Sequence, residues 1–290
     1  MKKILLTGAT GYLGKNLLKG LLKEGHEVIA LVRESSDVRY ITALAAELKI
    51  YTIGITPLRD IFSENQIDTV IHTAANYGRK GEALETVIHA NLGFPLMILE
   101  QAIKNDVRYF INTDTSLPKA LNWYSRSKKQ FLEWLEVCSA EIKVLNLQLE
   151  YFYGPNDDHS KFVTYVLKEL ISGKDHIDFT AATPYRDFIY IDDVVRAYLL
   201  LLSELENFEG LTTVEVGSGT AIMLKDIIQQ IQEATGQIEV KLNFGALPMR
   251  ENEIMHSCAN TDFLESKGWK PEYTFKEGIQ KTINIENNQL

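Results

Sequence analysis

"LLTGATGYLGKNLL", residues 5–18, sets Gly8, Gly11 and Gly14 between a short apolar run and a leucine-spaced stripe. The run "KILLTG" predicts a buried first strand. Leu13, Leu17, Leu18, Leu21 and Leu22 predict the apolar face of a helix that follows it. Glycine at such a junction allows a tight turn and close backbone approach, and the free amides of the helix start suit a pyrophosphate. Strand, glycine loop and helix in this order predict a dinucleotide site, with Gly8, Thr10, Gly11, Tyr12, Leu13 and Gly14 around the cofactor.

The alternation continues outward from this loop. "HEVIALV" after Gly25, "TVIHTA" at 69–74, "VRYFIN" at 107–112 and "IKVLNLQL" at 142–149 read as further strands. One long helical pattern spans about 84–104, and a helix carrying Tyr124 lies between the last two strands. Short apolar runs between helices imply a parallel sheet covered on both faces. The expected fold class is α/β, a Rossmann-type doubly wound parallel sheet with a smaller mixed C-terminal substrate domain. The large domain is expected over 1–155 with returning segments near 186–222, and the smaller one mainly over 156–290. Helices are expected at about 160–173 and 192–205, a strand at "TTVEVG", and a helix in "LKDIIQQIQEATG" stopped by Gly236.

Composition narrows the function classes. The 290 residues carry a formal charge of -9 and are 45% hydrophobic, which supports a sizeable core but supplies no basic field for nucleic acid. No apolar stretch is long enough to span a membrane, and the run after Lys2 and Lys3 is too short for a signal peptide. A cytoplasmic location is the expectation. Cys138, Cys258 and six scattered histidines match no ligand or redox spacing, so no metal site is expected.

The second strand ends "ALVRESS", without the acid that commonly holds the ribose hydroxyls of NAD. Arg33 and Ser35 suit a 2'-phosphate, which favours NADPH over NADH. The plain alternative is a solvated strand-end charge.

In "YSRSKKQF", Tyr124 and Lys128 stand four apart, on one face of a helix. A phenol is a poor acid–base group at neutral pH, and a nearby ammonium favours its phenolate. Just upstream, "FINTDTSL" leaves a strand at its carboxyl end, where open α/β sheets place their sites. Thr113 or Thr115 is positioned to hydrogen-bond a substrate oxygen beside Tyr124, with a nicotinamide delivering hydride to the same carbon.

"TGATGYLG", "VIHTAA", "NLG" at 91–93, Tyr124 with Lys128, "YGP" at 153–155, "RDFIYIDDVVRAYL" and "GWKP" together resemble the extended short-chain dehydrogenase/reductases, the NAD-dependent epimerase/dehydratase family. The resemblance covers essentially the whole chain. It implies Thr113 as the catalytic hydroxyl, Tyr124 as acid–base residue and Lys128 on the nicotinamide ribose. It also implies Thr73, Ala74, Ala75 and Asn91 near the cofactor, and Arg186 and Arg250 on the phosphates of a nucleotide sugar.

Dehydratases of the family carry Thr-Asp-Glu, whereas this chain has Thr113, Asp114 and Thr115, so the base for dehydration is missing. Asp114 is left as a hydrogen-bonding group or a site acid, and Gln148 departs from the arginine often found there. "FINTDTSLPK" and "FGALPMRENEIMHSCANTDFLESKGWKP" resemble the 4-keto-6-deoxyhexose 4-reductases of the family. That implies NAD(P)H-dependent reduction of a C4 ketone on a CDP- or dTDP-linked 6-deoxy or 3,6-dideoxy sugar, feeding an O-antigen-like polysaccharide. The open alternatives are a 4-epimerase on the same residues and a non-catalytic cofactor sensor. Family members often dimerise through two helices, and Phe131, Leu132 and Leu135 beside the tyrosine suggest a homodimer here.

Overall fold

The computed structural model describes residues 1–45 and 48–288. The order of elements is β1 Lys3–Thr7, α1 Tyr12–Lys23, β2 Glu27–Val32, α2 Arg39–Leu44, β3 Lys49–Thr52, α3 Leu58–Asn65, β4 Thr69–His72, α4 Leu84–Ile88, α5 Phe94–Lys104, β5 Tyr109–Thr115, α6 Trp123–Cys138 and β6 Lys143–Leu149. There follow β7 Tyr151–Tyr153, α7 Phe162–Leu170, β8 His176–Phe179, β9 Tyr185–Tyr190, α8 Ile191–Ser203, β10 Leu211–Val216, β11 Ala221–Met223, α9 Leu224–Thr235, β12 Lys241–Phe244, α10 Asp262–Ser266 and α11 Phe275–Asn287. Two compact units result, Met1–Gln148 with Tyr198–Val214, and Leu149–Ala197 with Glu215–Leu290.

Seven strands form one sheet in the order β10-β6-β5-β4-β1-β2-β3. The pairs β1–β2, β1–β4, β2–β3 and β4–β5 are parallel. One register row crosses four strands as Ile29, Leu5, Val70 and Phe110. All four belong to a single buried cluster with Ile61 and Phe62 of α3, Ile98 and Leu99 of α5, and Phe131 and Leu135 of α6. Successive strand residues point to opposite faces, so a single row of aliphatic and aromatic side chains seats a whole layer of helices. α1 buries Leu17, Leu18 and Leu21 outside that cluster and packs on β1 and β2. The strand order turns back between β1 and β4, and open α/β sheets bind ligands at such a reversal.

Three local features depart from the sequence expectation. β3 is an additional strand, and "KIYT" escaped notice because Lys49 is exposed and the rest only partly buried. β5 runs on to Thr115 through "NTDT", polar residues that a hydrophobicity pattern ends at Asn112. The long helix of 84–104 is broken by a π-helical turn at His89–Gly93, after which Pro95 opens α5. A π turn widens the helix by one residue and is often kept where a side chain must be re-aimed. Phe131 and Leu135, part of the expected dimer face, lie fully inside the core, whereas Trp123, Trp134 and Val137 are the exposed apolar residues of α6.

In the second unit β11, β9 and β7 make one small sheet and β12 with β8 another. Tyr153, Phe188, Tyr190 and Phe275 pack edge-on and tilted around its core. The carboxylate of buried Asp187 accepts from the Ser218 amide at 2.8 Å, its hydroxyl at 2.6 Å, and the amides of Gly219 and Ala259 at 3.0 and 3.2 Å. Four donors around one buried carboxylate hold β9 to two segments distant in sequence. Asp187→Ala strands those donors and is expected to destabilise this unit by about 3 kcal/mol, read as a lower urea midpoint. Among the described residues no helix is long and apolar enough to cross a membrane, and no group of three or more metal-binding side chains occurs.

Candidate active site

The glycine loop leaves β1 at Thr7 and enters α1 at Tyr12. Gly8 has φ +72°, a left-handed conformation that β-carbons resist, and a Cβ there would lie 2.7 Å from the Ala74 nitrogen and the Thr73 hydroxyl. A Cβ on Gly14 would lie 2.0 Å from the Gly8 carbonyl oxygen. The Gly11 amide donates to the Gly8 carbonyl at 2.9 Å, which closes the turn and leaves the first amides of α1 without a side-chain cap. After β4, the Thr73 hydroxyl donates to the Thr7 carbonyl at 2.8 Å, so the Thr73–Ala75 segment rests against the loop. Thr10, Tyr12 and Ala75 are at least partly accessible around it, while Leu13 is buried in support.

α6 begins with a capping box in which Asn122 and Ser125 exchange side-chain and backbone hydrogen bonds. That fixes the first turn and with it Tyr124, Lys128 and Lys129. The Tyr124 hydroxyl faces the Thr115 side chain, and its ring lies 4.8 Å from the ring of Tyr77. Burial, the Tyr77 phenol and the Asp114 carboxylate push the Tyr124 phenol well above its usual range, opposed by the Thr115 side chain and the charge of Arg79. Lys128 is almost fully buried, and burial holds its ammonium down at about 8, with Asp114 raising it and Lys129 lowering it further.

Asp114 is buried as well, and its Oδ2 accepts from Lys129 Nζ at 2.7 Å and from Asn146 Nδ2 at 3.3 Å. Thr113 lies one residue away, and its hydroxyl bonds the Tyr198 hydroxyl of α8 at 2.7 Å. Asn91 sits on the π turn. Its carboxamide clamps both the amide and carbonyl of Asn76 at 2.8 Å and donates to Ser127, whose hydroxyl donates to the Tyr124 carbonyl. The π turn therefore ties the loop after β4 to the helix of the tyrosine. Buried His72 meets Thr7 at 2.8 Å and is held neutral by burial and by Lys128.

The first unit brings together the glycine loop, Thr73, Asn91, Thr113, Asp114, Tyr124 and Lys128. Arg33 and Ser35 stand exposed beyond β2, where the Arg33 amide bonds the Ser36 hydroxyl at 3.2 Å. In the second unit Arg186 is buried, pairs with Glu253 at 2.5 Å and stacks over Tyr151, while Arg250 is exposed. Tyr77, Lys129 and Tyr198 went unnoticed in the sequence. Only "KK" at 128–129 offered a signal, and nothing in its spacing separates the second lysine from a surface charge.

The sequence model of the NAD dependent epimerase/dehydratase family matches residues 4–217. CDP-abequose synthase of Salmonella muenchen is 37% identical over 98% of each chain, and that of Salmonella typhimurium 32% identical over 97% of each. Among solved structures, UDP-glucuronic acid 4-epimerase from Bacillus cereus, with UDP-glucuronic acid and NAD, superposes with a TM-score of 0.87 at 22% identity, covering 99% of this chain and all of its own. UDP-glucose 4-epimerase from Thermotoga maritima gives 0.86 at 23% identity, covering 99% of each chain. Five similar solved structures are complexes with NAD, and this overturns the expectation of NADPH. Arg33 and Ser35 are exposed rather than held in a phosphate-shaped cradle, and a guanidinium at a strand end stacks on a base as readily as it pairs with phosphate. The chain belongs to the NAD-dependent epimerase/dehydratase family and is an NAD(P)-binding oxidoreductase.

Proposed function

We propose that the protein moves a hydride at C4 of a nucleotide-linked hexose, with NAD as its cofactor. The observation that carries this reading is the Tyr124–Thr115 pair with buried Lys128 at the carboxyl end of β5. The glycine loop fits the pyrophosphate, because Gly8 and Gly14 leave room that any β-carbon would fill. Bound there, NAD supplies hydride transfer at its nicotinamide. Tyr124 gives or takes the proton of the sugar O4, and Thr113 and Thr115 hydrogen-bond that oxygen. Lys128 holds the nicotinamide ribose and favours the phenolate once the site is filled. Arg250, exposed, is the better of the two arginine candidates for the sugar's diphosphate, since Glu253 already occupies Arg186.

A 4-epimerase is the first reading of the outcome. Relatives named as 4-epimerases extend from Methanocaldococcus jannaschii to Drosophila melanogaster, and solved neighbours hold NAD. An exchangeable NADPH would favour a reductase, and NAD in the solved neighbours removes that argument. Net reduction of a 4-keto sugar is the second reading, favoured by the 37% identity to CDP-abequose synthase. Absorbance at 340 nm separates them. Interconversion of 4-hydroxy nucleotide sugars without net change in NADH supports the epimerase, and stoichiometric NADH oxidation by a CDP- or dTDP-linked 4-keto-6-deoxy sugar supports the reductase.

Lys128 also gives the site a pH dependence. Its ammonium is present below about 8 and lost above it, so NAD binding is expected to weaken by up to about tenfold between roughly pH 7 and 9. Lys128→Met should bind NAD weakly with no such dependence, as measured by protein fluorescence quenching.

A further inference from the structure

Two adjacent lysines of α6 feel the charge of one buried carboxylate, and only the second pairs with it. Lys129 Nζ lies 2.7 Å from Asp114 Oδ2 and donates to the Thr115 carbonyl at 2.7 Å, so it is anchored at two points on β5. The Asp114 side chain is wholly inaccessible and that of Lys129 is 16% exposed, which makes this a largely desolvated pair. Buried pairs of this kind are costly to break, since the remaining partner is left as an uncompensated charge. Lys128, one residue earlier, is buried too, yet among the described residues it has no carboxylate within ion-pair distance.

We propose that Lys129 is a positioning residue: by occupying Asp114 it stops that carboxylate from capturing Lys128, and so leaves the Lys128 ammonium to the Tyr124 site and the nicotinamide ribose. This rests on the reading of Lys128 as the cofactor-contacting lysine. The argument is one of competition. Asp114 attracts both ammonium groups, and Lys129 repels Lys128 while satisfying the carboxylate. Without Lys129, the attraction of Asp114 for the Lys128 ammonium is left unopposed.

The other groups around Lys128 do not replace this arrangement. His72 of β4 is held neutral, Tyr124 of α6 and Tyr198 of α8 are uncharged phenols, and Arg79 lies beyond Tyr77 in the loop after β4. The charged residues of α4, the π turn and α5, namely Glu85, His89, Glu100 and Lys104, are exposed.

The test is the pH dependence of NADH binding by the intact protein, followed by nicotinamide fluorescence, with no sugar substrate present. Lys129→Met should weaken binding on the order of tenfold at neutral pH and move the alkaline midpoint upward by about one pH unit, as Lys128 gains Asp114 as partner. Asp114→Asn in the Lys129 background should move the midpoint downward. The double variant Lys129→Met with Asp114→Asn should recover affinity to within about threefold. Unchanged midpoints in both single variants, or no recovery in the double one, overturn the proposal. If Lys129→Met fails to fold, the direction of the Asp114→Asn midpoint decides. Because only cofactor binding is read, this inference can fail while C4 chemistry stands, and the reverse.

Discussion

Tyr124→Phe is expected to lower turnover on the order of a thousandfold while leaving NAD affinity within about threefold of the parent. The substitution keeps the ring that lies tilted against Tyr77 at 4.8 Å and deletes only the hydroxyl that faces Thr115. Packing should therefore survive, and only proton transfer to O4 is lost. Burial in the free protein holds this phenol well above its usual range, which keeps it protonated and able to give its proton to O4. A pre-steady-state comparison of parent and variant separates the two effects. Loss of cofactor binding in the variant would mean that the hydroxyl organises the pocket instead of the chemistry.

The glycine loop should give the second large effect, in a graded form. A Cβ on Gly14 meets the Gly8 carbonyl oxygen at 2.0 Å, its carbon at 2.7 Å and the Ala9 Cα at 2.9 Å, all backbone atoms of the turn. Normal carbon contacts begin near 3.5 Å, so the turn must open by roughly an ångström or more. Gly14→Ala should cost at least about a hundredfold in NAD affinity, because the loop amides no longer converge on the pyrophosphate. Gly11 has an ordinary φ of -75° and its Cβ would lie 3.2 Å from the same oxygen, so Gly11→Ala should be far milder. Equal affinities for the two variants would place the dinucleotide elsewhere.

The sheet and its glycine loop were legible because their signals are local. A strand, three glycines and a leucine stripe lie within twenty residues, and burial on both faces leaves continuous apolar runs such as "EVIALV". Tyr124 with Lys128 was legible for the same reason, being one helical turn. What escaped the sequence is made by distant segments meeting. Thr113 finds Tyr198 across 85 positions and Asn91 finds Ser127 across 36, and no spacing rule anticipates either. The π turn was hidden because a helical pattern continues through it, and only the clamp on Asn76 explains why residue 91 faces the site. No sequence signal marks Lys129, because its 2.7 Å pairing with Asp114 depends on β5 extending three residues past its apolar run. Cofactor preference failed for a related reason: a strand-end arginine carries charge, but the shape that selects a phosphate comes from the surrounding loop.

The most direct test of the account is to supply NADH deuterated at the transferable C4 position together with a nucleotide-linked 4-keto-6-deoxyhexose, and to locate the label by NMR. Deuterium at C4 of the sugar, absent with Tyr124→Phe, is the predicted result. Label at another carbon, or labelled sugar formed equally well by Tyr124→Phe, would contradict hydride transfer at C4 with Tyr124 handling the proton.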